Sequence, residues 1–528
     1  MFDCAVKNVL VIDGTGRESR IADIGIRDGK IVRIGTVNGE SALTIDGAGL
    51  AACPGFIDMH THMDLALLGT PFPEAKIRQG VTTDLLGQDG LGTFPVSEKN
   101  QPVLSGLLTG LDGCLPKEEW TWGGFNGYAS ALERRGMPSN AALLATHGPV
   151  RMEVMGMENR PASPGELARM GEIVAENLED GAFGLSSGLI YPPCSHGDAH
   201  ELTVLNREVG KRGGVFVVHM RDEGYHLLRS MDEVADICLA SGARLHISHF
   251  EAYGKVNWHL MDKALVQIGE YMDRGLSVTW DRYPYLAGCT VLSAVLPLWT
   301  FDKGPEALVR NLLDPAFRAR IHESFRQGLD VWNNRQISVG WENIVVTAVQ
   351  SERNRWVQGL SCMEIAERLG KNPVDAVCDL LAEERLAVTM ISFYGSDDVL
   401  EKILTSPRAS VGSDGIYGGR PHPRLYGTFP KFLRDFCLDS KKLSLEEGVK
   451  KITSFPAKIL GIPDRGILAE GFWADMVLFH PSSLRDKGTY EEPEQFPEGI
   501  HSVFVNGVRV VDEKGTTGKL PGKVLRRQ

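Results

Sequence analysis

The sequence predicts an α/β protein whose main domain is a TIM-type (β/α)8 barrel. Eight short apolar segments alternate with helical patterns along the middle of the 528-residue chain. Long crossovers between consecutive strands imply parallel pairing, and eight parallel strands close a barrel. The predicted strands are 55–60, 82–86, 142–146, 183–189, 215–220, 244–249, 277–282 and 409–413. The competing fold is an open doubly wound sheet, but no G-x-G-x-x-G loop follows any of these strands.

Both ends of the chain have a different pattern, with short alternating strands and tight turns. Pairs such as Asp28-Gly29 and Asn506-Gly507 separate these strands and are strong hairpin signals. The predicted strands are 5–12, 21–27, 30–34, 475–479, 502–505 and 508–511. Each end alone is too short for a sandwich. We therefore expect residues 1–53 and 465–528 to form one small β-sandwich domain beside a barrel of residues 54–464.

One spacing within the barrel is irregular. Residues 283–408 separate the seventh and eighth predicted strands, far more than a barrel crossover needs. Residues 286–345 carry their own tryptophans, prolines and charged helical patterns. This stretch is predicted to be a lid insertion over the strand ends.

Composition and charge restrict the classes of partner. A net charge of −12 argues against nucleic acid and against an anionic membrane surface, and no apolar run is long enough to span a bilayer. The first residues lack the basic start and apolar core of a signal peptide. The nine cysteines are scattered and never form C-x-x-C, which favours reduced thiols in the cytoplasm. A small-molecule substrate is expected, and a homo-oligomer is compatible with the sequence.

Polar residues follow the carboxyl ends of five predicted strands, where TIM barrels build their active sites. His60 and His62 end the first strand, and alternation places both side chains on one face, within reach of one divalent ion. The complete set is His60, His62, Asp89, His219, His249 and Asp414. Imidazole and carboxylate ligands suit Zn²⁺, with other divalent metals as alternatives. The set therefore predicts a site for one or two metal ions.

Five longer motifs surround these residues. They are Pro-Gly-Phe-Ile-Asp-Met-His-Thr-His at 54–62, Gly-Ala-Phe-Gly-Leu-Ser-Ser-Gly-Leu-Ile-Tyr-Pro-Pro at 181–193, His-Met-Arg-Asp-Glu-Gly at 219–224, Tyr-Pro-Tyr-Leu-Ala-Gly at 283–288, and Gly-Ser-Asp-Gly at 412–415 followed by Arg-Pro-His-Pro-Arg at 420–424. In combination they resemble the D-aminoacylase (N-acyl-D-amino-acid deacylase) family of the amidohydrolase superfamily. The resemblance covers nearly the whole chain, whereas H-x-H alone would indicate only the superfamily.

The resemblance implies zinc-dependent hydrolysis of the amide bond of N-acyl-D-amino acids. By position, His219 and His249 would hold the tightly bound zinc together with Asp89, while His60 and His62 would form a second, weaker metal position. Asp414 would be the catalytic general acid/base. Many relatives have a cysteine ligand after the second strand, where this chain has Asp89. A carboxylate is a harder ligand than a thiolate, so the number of metals and the metal preference are left open.

Substrate-binding residues are also implied by the resemblance. Arg424 is the candidate for holding the substrate carboxylate with two hydrogen bonds, assisted by Tyr283. Tyr191 is expected to line the pocket. Relatives often have a lysine where this chain has Glu251. If Glu251 faces the pocket, its charge would repel acidic side chains, which predicts poor activity on N-acyl-D-Asp and N-acyl-D-Glu.

Two nearby residues are expected to be structural. His246 lies an odd number of residues before His249, so strand alternation predicts that it faces outward. Cys289 occupies a position where relatives have serine, and it is interpreted as a small wall residue.

Three alternative functions stay open at this point. A dipeptidase for peptides with a C-terminal D-residue would need the same carboxylate clamp and an amine site, which Glu251 would supply. A cyclic amidohydrolase of the dihydroorotase or hydantoinase type often needs a carboxylated lysine, and Lys255 lies beyond the sixth strand. A non-catalytic barrel is disfavoured by the intact set of histidines and aspartates.

Overall fold

The structure, a computed structural model, describes residues 1–69, 71–113, 115–328, 335–417 and 420–527. It contains the predicted TIM-type barrel, built from short, almost fully buried strands. Neighbouring barrel strands pair in parallel, in the order of the sequence. The strands are Phe56–Asp58, Val81–Leu86, Asn140–Leu143 continued by Ala145–Thr146, Gly184–Gly188, Val215–His219, Arg244–Ile247, Val278–Asp281 and Ala409–Ser410.

The barrel closes between its first and eighth strands. Thr61–His62 pairs in parallel with Gly415–Ile416, just beyond the two strands. The backbone N–H of Asp414 also donates to the carbonyl of His60 at 2.7 Å. This closure places the H-x-H pair directly beside Asp414.

Helices follow most of the barrel strands and pack their apolar faces on the barrel. Their bounds are Gln101–Leu108, Phe125–Arg135, His147–Met155, Pro164–Glu179, Ala199–Lys211, Leu227–Ser241, Met261–Asp273, Asp397–Thr405, Arg424–Phe432, Leu445–Lys451 and Ser454–Leu460. The helix Pro164–Glu179 begins with a capping box, in which Ser163 and Glu166 satisfy each other's backbone N–H groups. Within the described residues, no helix is both long and apolar enough to cross a membrane.

The two chain ends lie in one sheet of nine strands among the described residues. Met476–Phe479 from the C-terminal end pairs antiparallel with Ala51–Pro54 from the N-terminal end. The other strands are Phe2–Val11, Arg20–Arg27, Lys30–Gly35, Ser41–Asp46, Ile500–Val505, Val508–Asp512 and Gly515–Thr516. Beyond this sheet, Val524–Leu525 pairs in parallel with the third barrel strand, a contact that the sequence did not predict.

Between the seventh and eighth barrel strands, an inserted module has its own antiparallel sheet and apolar core. Its strands are Ala287–Val291, Ile344–Ala348 and Thr389–Phe393, and its helices are Pro305–Asn311, Pro315–Arg326, Arg335–Val339, Cys362–Leu369 and Pro373–Glu383. The module extends beyond the predicted segment 286–345 because Thr389–Phe393 returns to pair with Ala287–Val291. Residues 329–334 of the predicted segment lie outside the described residues.

A buried ion pair ties the first barrel strand to the eighth. The Lys76 ammonium contacts the Asp58 carboxylate and donates to Ser413 Oγ at 2.6 Å. Ser413 in turn donates its backbone N–H to Asp58 Oδ1 at 2.8 Å and its hydroxyl to Oδ2 at 2.6 Å. Asp58 and Lys76 are both nearly inaccessible to solvent, so each charge depends on the other.

We expect Lys76→Met to destabilise the protein by about 3–5 kcal/mol, because it leaves the Asp58 charge buried without a cation. The measurement is the shift of the urea unfolding midpoint in the same metal-loading state. Lys402→Met is the matched control, since Lys402 pairs with Asp262 at the exposed surface and should cost less than about 1 kcal/mol. Equal shifts for the two variants would contradict the assignment of the buried pair.

Candidate metal centre

The ends of the barrel strands bring all six predicted metal-site residues into one buried cluster. Each of them is at most 6% exposed, and the set is His60, His62, Asp89, His219, His249 and Asp414. They form three overlapping groups whose potential ligand atoms lie within 4.8 Å of one another. One group is Asp89, His219 and His249, and the other two both contain His60.

Asp89 lies at the centre of this cluster. Its Oδ2 atom is 3.6 Å from His62 Nε2, 3.7 Å from His219 Nδ1 and 3.9 Å from His249 Nε2. Its Oδ1 atom is 3.6 Å from His60 Nε2. One carboxylate therefore faces all four histidines, so it can serve a principal position with His219 and His249 and also a second position with His60 and His62.

The cluster contains several buried polar atoms without a hydrogen-bond partner in the described structure. They include His60 Nδ1 and Nε2, His62 Nδ1, Asp89 Oδ1, and His219 Nδ1 and Nε2. Buried polar groups are normally hydrogen-bonded, so such a concentration requires an explanation. A divalent cation accounts for the unpartnered atoms that face the cluster, and the imidazole and carboxylate donors fit Zn²⁺.

Two acidic residues outside the predicted set orient the histidines. Glu223 lies 2.9 Å from His249 Nδ1 and 3.5 Å from His219 Nε2, on the sides of the rings that face away from Asp89. Asp281 accepts the backbone N–H of His249 at 3.0 Å and lies 3.6 Å from His60 Nδ1. Carboxylates behind metal-binding histidines fix ring orientation and raise ligand basicity. Asp281 ends the seventh barrel strand, and this position is the sequence signal that could have identified it.

The prediction that His246 faces outward is wrong. Its side chain is fully buried, with Nε2 3.1 Å from Asp281 Oδ2 and Nδ1 2.8 Å from Thr279 Oγ1. The strand ends at Ile247, and His249 has a φ of +32°, so alternation cannot be counted through to His249. His246 supports Asp281 beneath the cluster.

Three of the clustered residues have backbone conformations that side chains rarely adopt. Asp89, His249 and Asp414 have φ values of +54°, +32° and +48°. Left-handed non-glycine residues are uncommon and often occur at functional sites. Here the conformation turns each side chain from the end of its strand toward the same point.

Neighbouring carboxylates raise the pKa of two of the clustered histidines. Burial alone would lower the pKa of His62, but hydrogen bonding with Asp414 and Asp89 raises it to about 10. Burial would likewise lower the pKa of His249, but Glu223 and Asp89 raise it well above its ordinary value. A histidine must lose its proton before it can bind a metal.

We therefore expect zinc binding at pH 7 to release protons from the metal-free protein, and the affinity for zinc to fall as the pH is lowered. Calorimetric titrations in two buffers of different ionisation enthalpy measure the number released. An observed binding enthalpy that is identical in the two buffers would contradict this expectation.

Arg424 lies inside the site, where it contacts the predicted catalytic acid. Its Nη1 is 2.9 Å from Asp414 Oδ2, its Nη2 donates to the carbonyl of Cys289 at 3.0 Å, and its guanidinium lies 4.5 Å from the centre of the Tyr283 ring. Burial alone would raise the pKa of Asp414, but Arg424 and His60 hold it well below its ordinary value. Asp414 is therefore ionised before any substrate binds.

The other predicted substrate-binding residues, unlike Arg424, line the small cavity above the cluster. The Tyr191 ring lies 5.4 Å from that of His219, and its hydroxyl is 2.8 Å from Thr290 Oγ1. The Tyr283 hydroxyl is hydrogen-bonded to Tyr394. Cys289 lies in the wall of the same cavity, which agrees with its interpretation as a small wall residue.

Glu251 faces the cavity, but its charge is not free. The Arg282 guanidinium forms a buried ion pair with it and also donates to the Tyr394 hydroxyl at 3.2 Å. Repulsion by Glu251 therefore cannot be the basis for rejecting acidic substrates, which corrects the reasoning from the sequence. Sequence inspection missed Arg282 because a partner in space leaves no spacing signal along the chain.

Comparison with known proteins supports these observations. The sequence model described as "Amidohydrolase family" matches residues 43–511. D-aminoacylase of Alcaligenes xylosoxydans xylosoxydans is 32% identical over 528 residues, covering 100% of this chain and 98% of the relative.

Two solved structures also superimpose over nearly the whole chain. One is N-acyl-D-glutamate deacylase of Bordetella bronchiseptica, complexed with zinc and a phosphonate mimic of the tetrahedral intermediate; it has a TM-score of 0.85, 29% identity and 99% coverage of both chains. A D-aminoacylase structure that addresses its binuclear metal center has a TM-score of 0.84, 31% identity and 100% coverage of both chains. The chain therefore belongs to the D-aminoacylase (N-acyl-D-amino-acid deacylase) family of the amidohydrolase superfamily.

Proposed function

We propose that this protein hydrolyses the amide bond of N-acyl-D-amino acids, with zinc as its metal, and releases a carboxylate and a D-amino acid. The observation that carries the proposal is the buried cluster itself. Four histidines face one carboxylate, and both ring nitrogens of His60 and of His219 lack a hydrogen-bond partner among the described residues. An ionised Asp414 lies beside them, with Oδ1 3.4 Å from His62 Nε2.

In this proposal, Asp89, His219 and His249 hold the principal zinc, and His60 and His62 hold a second ion with Asp89. Zinc bound there supplies Lewis acidity, which activates water and polarises an amide carbonyl. Asp414 takes a proton from the attacking water on Oδ1 and delivers it to the departing amine. Arg424 keeps Asp414 ionised and oriented for the first of these transfers.

We also assign substrate roles to Tyr283 and Tyr191 in the cavity wall and to Arg424, which contacts the wall residues Asp414 and Cys289. Arg424 and Tyr283 hold the substrate carboxylate, and Tyr191 bounds the opposite side, next to His219. The Arg424 Nη2 bond to the Cys289 carbonyl fixes the guanidinium plane for a two-point contact. The inserted module acts as a lid, since its residues Thr290 and Arg335 form part of the cavity wall.

The alternative reactions have less support. For a dipeptidase, Glu251 was the expected partner of the free amine, and Arg282 already occupies it. For a cyclic amidohydrolase, a carboxylated lysine would be needed, and none of the described residues that line the small cavity above the cluster is a lysine. Both alternatives are tested together with the proposed reaction.

The location and assembly of the protein are further parts of the proposal. A cytoplasmic location is supported by the eight described cysteines, all of which are buried and free; Cys114 lies outside the described residues. A small-molecule substrate suits the small cavity above the cluster. Assembly into a homo-oligomer stays a prediction, which light scattering on the purified protein tests.

The test of the function is a substrate panel assayed with and without added Zn²⁺. It contains N-acetyl-D-amino acids, their L-enantiomers, dipeptides ending in a D-residue, and dihydrouracil as a cyclic amide. We expect zinc-dependent hydrolysis of the N-acetyl-D compounds above all others. Preferential hydrolysis of the dipeptides or of the cyclic amide would replace the proposed reaction with that alternative.

A further inference from the structure

The loop that carries Asp89 has an unusual backbone conformation. It follows the second barrel strand, Val81–Leu86. Gly87, Asp89 and Gly90 have φ values of +76°, +54° and +65°, so three of the four loop residues are left-handed. A residue with a Cβ atom is uncommon in this conformation, and it persists there only when the surrounding structure holds it. The contacts that hold this loop therefore determine where the Asp89 carboxylate points.

One side of this loop is held by a hydroxyl of the fourth barrel strand, Gly184–Gly188. Ser186 Oγ accepts the backbone N–H of Gly90 at 3.1 Å and donates to the carbonyl of Gly87. One side chain therefore bridges the two ends of the loop through its donor and one of its acceptor sites. Ser186 is fully buried, so loss of the hydroxyl would take this partner from the Gly90 N–H away from solvent.

The same strand packs directly against the backbone of the loop. A Cβ atom at Gly188 would lie 2.3 Å from the carbonyl oxygen of Asp89, and a Cβ atom at Gly90 would lie 2.9 Å from Ser187 Cα. Both distances are too short for a side chain, so the two glycines permit this close approach. The contact gives a structural reason for the small residues of the Gly-Leu-Ser-Ser-Gly segment at 184–188.

The other side of the loop is anchored by the side chain of Gln88, which is fully buried. Its Nε2 donates to the carbonyl of Met59 at 2.9 Å and to the carbonyl of Leu85 at 3.1 Å. Met59 directly precedes His60, so this amide connects the loop to the segment that carries the first two histidines of the cluster. Asp89 is therefore held between the H-x-H segment and the fourth barrel strand.

We propose that Ser186 is a positioning residue that fixes the metal-binding conformation of Asp89, with Gln88 holding the loop from the opposite side. This inference rests on the proposed function, in which Asp89 binds the metal. Ser186 acts through the backbone of Gly87 and Gly90 and not through the metal itself. Without its two hydrogen bonds, the loop can relax toward right-handed conformations, which turns the carboxylate away from the four histidines.

Ser186→Ala removes only the hydroxyl group. We expect the zinc affinity to fall about 10- to 100-fold, which is the usual effect of removing a group that supports a metal ligand. Ser187→Ala is the matched control, because Ser187 is the next residue of the same strand and is equally buried. Its hydroxyl is hydrogen-bonded to His147 at 2.9 Å and not to the loop, so this variant should bind zinc like the wild type.

A double-mutant cycle separates positioning from general destabilisation. In the Asp89→Ala background there is no carboxylate to position, so Ser186→Ala should not lower the zinc affinity further, although it should still lower the urea unfolding midpoint. An equal additional loss of zinc affinity in both backgrounds would refute the proposal, because it would show that Ser186 acts independently of Asp89. If Ser186→Ala fails to fold, Gln88→Met removes the second anchor at similar volume and is judged by the same cycle.

Equilibrium dialysis against a zinc chelator measures these affinities and requires no turnover, which separates this proposal from the proposed function. If Ser186→Ala lowers the zinc affinity but the wild type hydrolyses no N-acyl-D-amino acid, the positioning role stands and the proposed function fails. If the wild type hydrolyses N-acetyl-D-amino acids and Ser186→Ala binds zinc as tightly as Ser187→Ala does, the function stands and the positioning role fails.

Discussion

Asp414→Asn is expected to lower kcat by roughly 100- to 10,000-fold while leaving the principal zinc in place. The loss is the usual contribution of a positioned general acid/base, since an amide side chain cannot accept the proton of the attacking water. Zinc should stay because Asp89, His219 and His249 form a group that does not include Asp414. The measurement combines steady-state kinetics on an N-acetyl-D-amino acid with metal analysis of the same sample.

The matched control for this change is Asp262→Asn, because Asp262 is an exposed acid paired with Lys402 on the surface. It should keep wild-type kinetics. Near-normal turnover by a zinc-loaded Asp414→Asn protein would remove Asp414 from its assigned role. The ion pair between Asp414 and Arg424 would then be only structural.

Replacing Asp89 should have the largest effect on the metal. Asp89→Ala removes the carboxylate that faces all four histidines of the cluster. We expect the zinc affinity to fall by more than roughly 100-fold. Removing a residue that only supports a metal ligand typically lowers the affinity by at most about 100-fold, so a larger loss indicates that Asp89 binds the metal directly. Activity at limiting zinc should fall in parallel. Equilibrium dialysis against a zinc chelator measures the affinity.

Asp89→Cys is the informative companion to that variant. A thiolate is a softer ligand than a carboxylate, so this variant should keep zinc and shift its relative affinity toward soft metals such as cadmium. If Asp89 binds the principal ion, Asp89→Ala should lose most of its zinc affinity and Asp89→Cys should retain zinc. Unchanged zinc affinity in Asp89→Ala would show that the histidines bind the metal without it.

The barrel and the clustering of polar residues at its strand ends could be predicted because they depend on local patterns. Short apolar strands reveal the barrel, and the architecture then places every strand end on one face. His60, His219 and Asp414 were singled out in this way, since each lies at the end of a predicted strand. The positions of individual side chains were less predictable, as His246 shows, because Asp89, His249 and Asp414 leave their strands in left-handed conformations.

Residues that act through partners distant in sequence could not be found from the sequence alone. Glu223 orients two histidines that follow different strands, and Arg282 forms an ion pair with Glu251. Arg335 of the inserted module lines the small cavity above the cluster. No spacing along the chain records these contacts, because the barrel and the module must fold before the residues meet.

The most direct test of the central claim is a zinc titration of the metal-free enzyme, followed by hydrolysis of one N-acetyl amino acid in both enantiomers. The account predicts that activity toward the D-enantiomer appears as the first equivalent of zinc binds, while the L-enantiomer stays close to background. Full activity without metal, or equal hydrolysis of the two enantiomers, would contradict it.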